Sequence, residues 1–180
     1  TPMLAKWAMM DLNARKYGAS FALAPWRYQR KAVKIFYDGP NFQPWPNRDV
    51  LHNPSYPVIK HWIQLRDYVT VSELENINDS RKKPTYKNLD LLKKSMSESD
   101  MTSDTRDYVI KNKSIKGLQD FLGKDLSNKV LERITEYRDE RKIVFIPKHG
   151  VVIQDIPNPY DHQEIPVVHL KYSPLDDDIY

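Results

Sequence analysis

Three histidines and several carboxylates collect in the last third of the chain: His149, Asp155, Asp161, His162, His169 and the run Asp176-Asp177-Asp178. Imidazole nitrogens and carboxylate oxygens ligate divalent metals, so the set could be sketched as the centre of a metal-dependent hydrolase. Its spacing matches no known ligand pattern, and such residues in loops are more often simply solvated. The chain has no cysteine, hence no thiolate ligand and no disulfide framework. It has no Gly-x-Ser-x-Gly elbow. Its 5 glycines are too scattered to build a phosphate-cradling loop. The lack of a catalytic constellation points to a structural or binding protein. No enzyme activity, cofactor or metal is expected.

A second chemistry lies in Trp26-Arg27-Tyr28-Gln29-Arg30-Lys31. Aromatic rings that can stack on bases alternate there with cations that can neutralise phosphates, the composition of a nucleic-acid contact. Arg27, Arg30 and Lys31 are therefore the candidate residues for contact with DNA or with another subunit. The alternative is a half-buried strand with a solvated cationic edge, since one short basic run is weak evidence by itself.

These residues sit on a chain of 180 residues, enough for one domain with a real core and an insertion. It carries 13 prolines, which favour extended segments and stiff turns. The net charge is +4, unevenly spread: residues 1–70 carry +6 and residues 129–180 carry −3. Such asymmetry suits a subunit that meets different partners at its two ends. No apolar run approaches the ~20 residues of a membrane helix, and no signal-peptide pattern is present.

Met3, Trp7, Met10, Ala14 and Tyr17 recur at helical spacing and predict an amphipathic N-terminal helix ending at Gly18. Its apolar face packs either on its own sheet or between subunits. Phe21 and Leu23 alternate with alanines, a strand pattern with one well-filled face. Ala32 to Tyr37 extends or pairs with that strand, and Asp38-Gly39-Pro40 is expected to turn the chain. His61 to Val69 alternates as a strand does, with Ile63, Leu65 and Val69 on one face. Thr70-Val-Ser-Glu73 is a capping box that starts a short helix through Leu74 and Ile77.

Residues 79–127 are highly charged, with 11 Lys/Arg and 8 Asp/Glu. Leu89, Leu91 and Leu92 predict one helix there, Tyr108 to Ile110 a second, and Leu118 to Leu122 a third. Ser95 to Thr105 reads as a mobile polar loop. Val130 to Tyr137 fits a helix or a strand equally well by periodicity. Ile143 to Ile153 is a hairpin around Lys148-His149-Gly150. The stretch Asp155-Ile-Pro-Asn-Pro-Tyr160 should stop its pairing, because prolines donate no ladder bond, and Pro166 to Tyr172 is a further extended run.

Four stretches, in order, resemble the portal proteins of tailed bacteriophages: Tyr17-Gly18 followed by a small-residue strand, the Asn53-Pro54-Ser55 turn, the Thr70-x-x-Glu73-Leu74 helix, and Pro157-Asn-Pro-Tyr160 with Ile165-Pro-Val-Val168. The nearest flavour is that of short-tailed, crAss-like phages. The resemblance covers 1–78 and 129–180 and corresponds to the portal wing. It leaves 79–128 as a helical, charged insertion, and it favours a strand at Val130–Tyr137.

It implies an α+β fold: an N-terminal helix, a mostly antiparallel sheet and the helical insertion. It also implies a virion protein assembled in the host cytoplasm as a dodecameric ring at one capsid vertex. Double-stranded DNA would enter and leave through the full ring. Its partners would be other copies of itself, the major capsid protein, the terminase and a head-tail adaptor, and no membrane. Asp176 to Asp178 would then cap a stem helix, and the chain would be a fragment lacking stem and clip. From the residues alone, the competing expectation is a stand-alone basic nucleic-acid-binding module built on Arg27, Arg30 and Lys31.

Overall fold

The computed structural model describes residues 3–31, 34–56, 59–100, 126–160 and 165–171. Its elements are those of an α+β protein with antiparallel sheets, as the sequence predicts. They divide into two compact units. One holds Thr1–Leu65, Tyr137–Glu140 and Asn158–Tyr180; the other holds Arg66–Glu136 and Arg141–Pro157.

The first unit opens with α1 (Met3–Tyr17), closed by Gly18 in the left-handed region at φ 77°. A glycine pays no Cβ penalty there. The chain continues through β1 (Ala19–Leu23), β2 (Trp26–Lys31), β3 (Lys34–Pro40), β4 (Gln43–Trp45) and β5 (Val50–His52). β1 lies in the middle of a three-stranded antiparallel sheet, between β4 and β10 (Val167–Lys171), with Phe21 opposite both His169 and Trp45. Helix α1 covers this sheet, so Ser20, Phe21 and Ala22 are all buried. The expectation of a single filled face on β1 is thereby corrected: the small residues Ser20 and Ala22 let the backbone lie close beneath its cover.

On α1 itself, Met10 and Ala14 are buried and Trp7 meets Phe42 at 4.8 Å, while Met3 and Tyr17 are exposed at the two ends. Asp38-Gly39-Pro40 does not turn the chain. It belongs to β3, where Pro40 pairs with Trp26 at the open end of a two-stranded ribbon. Proline is tolerated at a strand terminus because its missing N–H removes no interior ladder bond. The Asn53 turn forms as expected, with the Ser55 amide donating to Asn53 Oδ1 at 3.1 Å. The core of this unit is Ile63, Leu65 and Tyr137, with Leu23, Trp45, Val50, Ile59, Tyr160, Ile165 and Val167 around it.

In strand order, the five-stranded sheet is β5, β6 (Trp62–Thr70), β7 (Val130–Arg138), β8 (Arg141–Ile146) and β9 (Val151–Pro157). Alternation on β6 follows the prediction, with Ile63, Leu65 and Val69 buried. Val130–Arg138 is a strand, burying Leu131, Ile134, Glu136 and Tyr137. The hairpin β8–β9 closes over Pro147–His149, and Gly150 takes φ 64°. The expectation that pairing stops from Asp155 is corrected: Asp155, Ile156 and Pro157 pair with Ile143, Lys142 and Arg141, and a proline at the last ladder position removes no interior bond.

The second unit is organised by α2 (Val71–Asp79) and α3 (Leu89–Asp100). The capping box forms in full: Glu73 N–H donates to Thr70 Oγ1 at 3.3 Å, and the Thr70 amide donates to Glu73 Oε2 at 2.7 Å. Leu74, Leu92 and Met96 are fully buried with Val71, Ile146 and Ile153, so α3 shares one core with the strands. Ser95–Asp100 is therefore helix, not loop: Met96 falls one turn after Leu92 and fills the same apolar site, which outweighs the polar composition around it. Residues 101–105, and the two further helices expected around Tyr108 and Leu118, lie outside the described residues. No described helix is long and apolar enough to cross a membrane.

Candidate functional site

Arg27, Arg30 and Lys31 all lie on β2 of the β2–β3 ribbon. Its base is closed by the Asn41 amide donating to the Pro25 carbonyl at 2.8 Å. Arg27 pairs with Gly39, Arg30 with Ile35 and Lys31 with Lys34, and the register slips between Gln29 and Arg30. A slip of this kind bends the strand and increases its local twist. Lys34, which the sequence does not single out, joins the three candidates because pairing places it opposite Lys31. The ribbon is a sheet of its own, separate from the other two.

A second surface lies on α1. Leu4, Ala5, Ala8, Met9 and Leu12 form an exposed row, with Leu4 at 83% and Leu12 at 64% of full exposure. This row lies opposite the buried Met10 and Ala14, so the helix is apolar on both sides. The sequence pattern disguises this, since Met3–Tyr17 alone satisfies one face. Met9 also lines an open groove with Asn13, Tyr17, Trp45, Pro46 and Arg48.

The chain matches no family model and no curated protein with which it was compared.

Of the histidine and carboxylate set, the structure describes His149, Asp155 and His169. His149 belongs to the second unit, its Nδ1 3.1 Å from Ser95 Oγ. Asp155 is held by Arg141 through contacts of 2.9 and 2.6 Å. His169 belongs to the first unit and stacks on Phe21 with ring centroids 4.5 Å apart. Among the described residues no three His, Asp or Glu side chains converge. Asp161, His162 and Asp176–Asp178 lie outside the described residues.

Sequence reasoning missed three clusters. His52 approaches both Phe21 and His169, at 5.9 and 5.7 Å. Burial lowers the His169 pKa below its ordinary value, and the charges of Lys171 and His52 add to this. His61 has φ 68° and sits inside a tight turn in which the Trp62 amide donates to the Lys60 carbonyl at 2.9 Å. That three-residue turn with a positive central φ is rare and strained. It presents the imidazole to Asp139 at 3.0 Å and to the edge of Tyr56 at 5.2 Å.

In the second unit Arg133 forks onto Asp67 and reaches the Tyr86 hydroxyl at 3.1 Å. Lys142 is depressed below the usual lysine range, first by burial and then by the charges of Arg133 and Arg81. Only the Asn53 turn left any local signal for these clusters; the rest depend on residues far apart in the chain.

Proposed function

We propose that this chain is the wing region of a tailed-phage portal subunit, a structural protein of the virion and not an enzyme. In the intact protein, twelve copies form the ring at the DNA entry and exit vertex. The ring seats in the major capsid protein, receives the terminase during filling and takes a head-tail adaptor afterwards. Assembly takes place in the host cytoplasm.

The observation that carries the reading is the way the resembling stretches fall on the elements. Tyr17-Gly18 ends a helix directly before β1. The Asn53 turn precedes β6, and the Thr70–Glu73 box opens α2. The last stretch, Ile165 to Val168, runs into β10, which pairs back on β1 from Ala19↔Lys171 to Leu23↔Val167. The first and last of the four thus meet in one sheet. The exposed row on α1 supports the same reading, because a helix apolar on both sides is normally covered on both, and a ring requires head-to-tail contacts on each copy.

The test is negative-stain imaging of the protein expressed with its whole reading frame. Rings with a central hole are expected. A protein that stays monomeric under assembly conditions, or a tight two-fold dimer, overturns the reading. A second reading, a stand-alone basic nucleic-acid-binding module, is favoured by the β2–β3 ribbon and predicts DNA binding without rings.

A further inference from the structure

We infer that the cationic end of the β2–β3 ribbon is a docking site for the phosphate backbone of duplex DNA, with Arg30, Lys31 and Lys34 as its centre and Arg27 nearer the base. The choice of duplex DNA rests on the portal reading; the site itself rests on the ribbon.

From Trp26 to Tyr37 the chain contains four cations and no carboxylate. Antiparallel pairing folds this stretch on itself, so that Lys31 is opposite Lys34 and Arg30 is opposite Ile35. Partners in such a ladder are only about 4.5–5.5 Å apart at Cα, and like charges directly opposite one another destabilise it. The ribbon's one carboxylate, Asp38, lies opposite Tyr28, toward the other end. The sequence thus concentrates positive charge where pairing makes it most costly, and a polyanion removes that cost.

Geometry narrows the choice of polyanion. The ribbon has six residues in β2, about 20 Å at 3.3 Å per residue, and among the described residues no other strand pairs with either of its edges. A two-stranded ribbon is an element that the DNA major groove admits. The slip between Gln29 and Arg30 adds twist just before the cationic end. An isolated two-stranded ribbon is marginal alone, and a groove that takes it along its length supports it. The aromatic residues Trp26, Tyr28, Phe36 and Tyr37 flank the cations in sequence.

The experiment is fluorescence anisotropy of a labelled mixed-sequence duplex with the 180-residue chain across a salt series. Four phosphate contacts predict a slope of log K against log salt of about −3.5, a loss of roughly 100-fold between about 50 and about 200 mM. The triple variant Arg30→Gln/Lys31→Gln/Lys34→Gln should retain a slope of about −1. Its circular dichroism should match the parent, and Arg30→Lys/Lys34→Arg should bind as the parent does. Neutralising Arg15 and Lys16 at the end of α1 should change nothing.

The inference is overturned by no binding at the lowest salt or by an unchanged slope in the triple variant. It is equally overturned by tighter binding to a single strand, or by polyglutamate binding as tightly as duplex. Ring images report separately: rings with no ribbon-dependent binding sink this inference alone, and ribbon-dependent binding without rings sinks the portal reading alone.

Discussion

Arg133 on β7 grips Asp67 on β6 with two nitrogens: Nε donates to Oδ1 at 2.8 Å, and a terminal nitrogen donates to Oδ2. Asp67 shares the strand parity of Ile63, Leu65 and Val69, so the pair occupies a position that alternation reserves for apolar side chains. The two side chains, arginine and aspartate, are 17% and 29% exposed. Burial works against the guanidinium charge, but the hydrogen bond and charge of Asp67, with smaller help from Tyr86 and Glu73, raise its pKa above the usual value. Arg133 therefore stays charged across the working pH range and anchors β7 to β6 at one register.

Removing one partner should be worse than removing both. Asp67→Ala strands a mostly buried guanidinium and is expected to cost about 2–3 kcal/mol, less than a fully buried pair would because water still reaches it. Asp67→Val/Arg133→Met replaces both partners with apolar groups and should cost less than the sum of the single changes. Urea denaturation of the three variants measures this. Strict additivity would mean that the two residues act independently.

Met96 decides whether α3 is part of the core. Its side chain is fully buried beside Leu92. Met96→Ala should cost about 2–4 kcal/mol, since a buried methionine leaves a cavity that the surroundings fill only in part. Leu91, next to Leu92 on the same helix, is 57% exposed, and Leu91→Ala should cost under about 0.5 kcal/mol. Thermal or urea unfolding separates the two. Limited proteolysis should also spare the bonds from Ser95 to Asp100.

The Thr70–Glu73 box gives a smaller, local effect. Thr70→Ala removes the acceptor for the Glu73 amide and should cost about 1 kcal/mol. Adding Glu73→Ala should cost little more, because the reciprocal contact to the Thr70 amide is part of the same motif. Equal and additive losses would show that the two bonds are independent.

These residues also mark what the sequence can disclose. The capping box is legible because its partners are three residues apart, and β6 is legible because Ile63, Leu65 and Val69 alternate against one buried face. Val130–Arg138 is ambiguous by pattern because Val130, Ile134 and Tyr137 satisfy both periods. The end of α3 is hidden because a single buried methionine offsets its polar neighbours only when a core is waiting for it. Asp67 and Arg133 stand 66 residues apart, and nothing local in either marks it as a partner of the other. At the candidate site, composition reveals Arg27, Arg30 and Lys31, while Lys34 and the exposed row on α1 emerge only from pairing and packing.

His169 provides a test by pH. It stacks on Phe21 with ring planes 18° apart, and His52 and Lys171 are the charges that act on it. Burial first, then those two charges, hold its pKa below the ordinary value of 6.5. In the window between that lowered value and 6.5 the unfolded chain binds more protons than the folded one. Stability from this residue is therefore fully present above the unfolded pKa and declines as pH falls through the window toward the folded pKa. His169→Phe keeps an aromatic ring against Phe21 and removes the titration. Urea midpoints taken from about pH 7.5 down to about pH 5 should fall more steeply for the parent than for the variant. Parallel curves would place the acid sensitivity of this unit in some group other than His169.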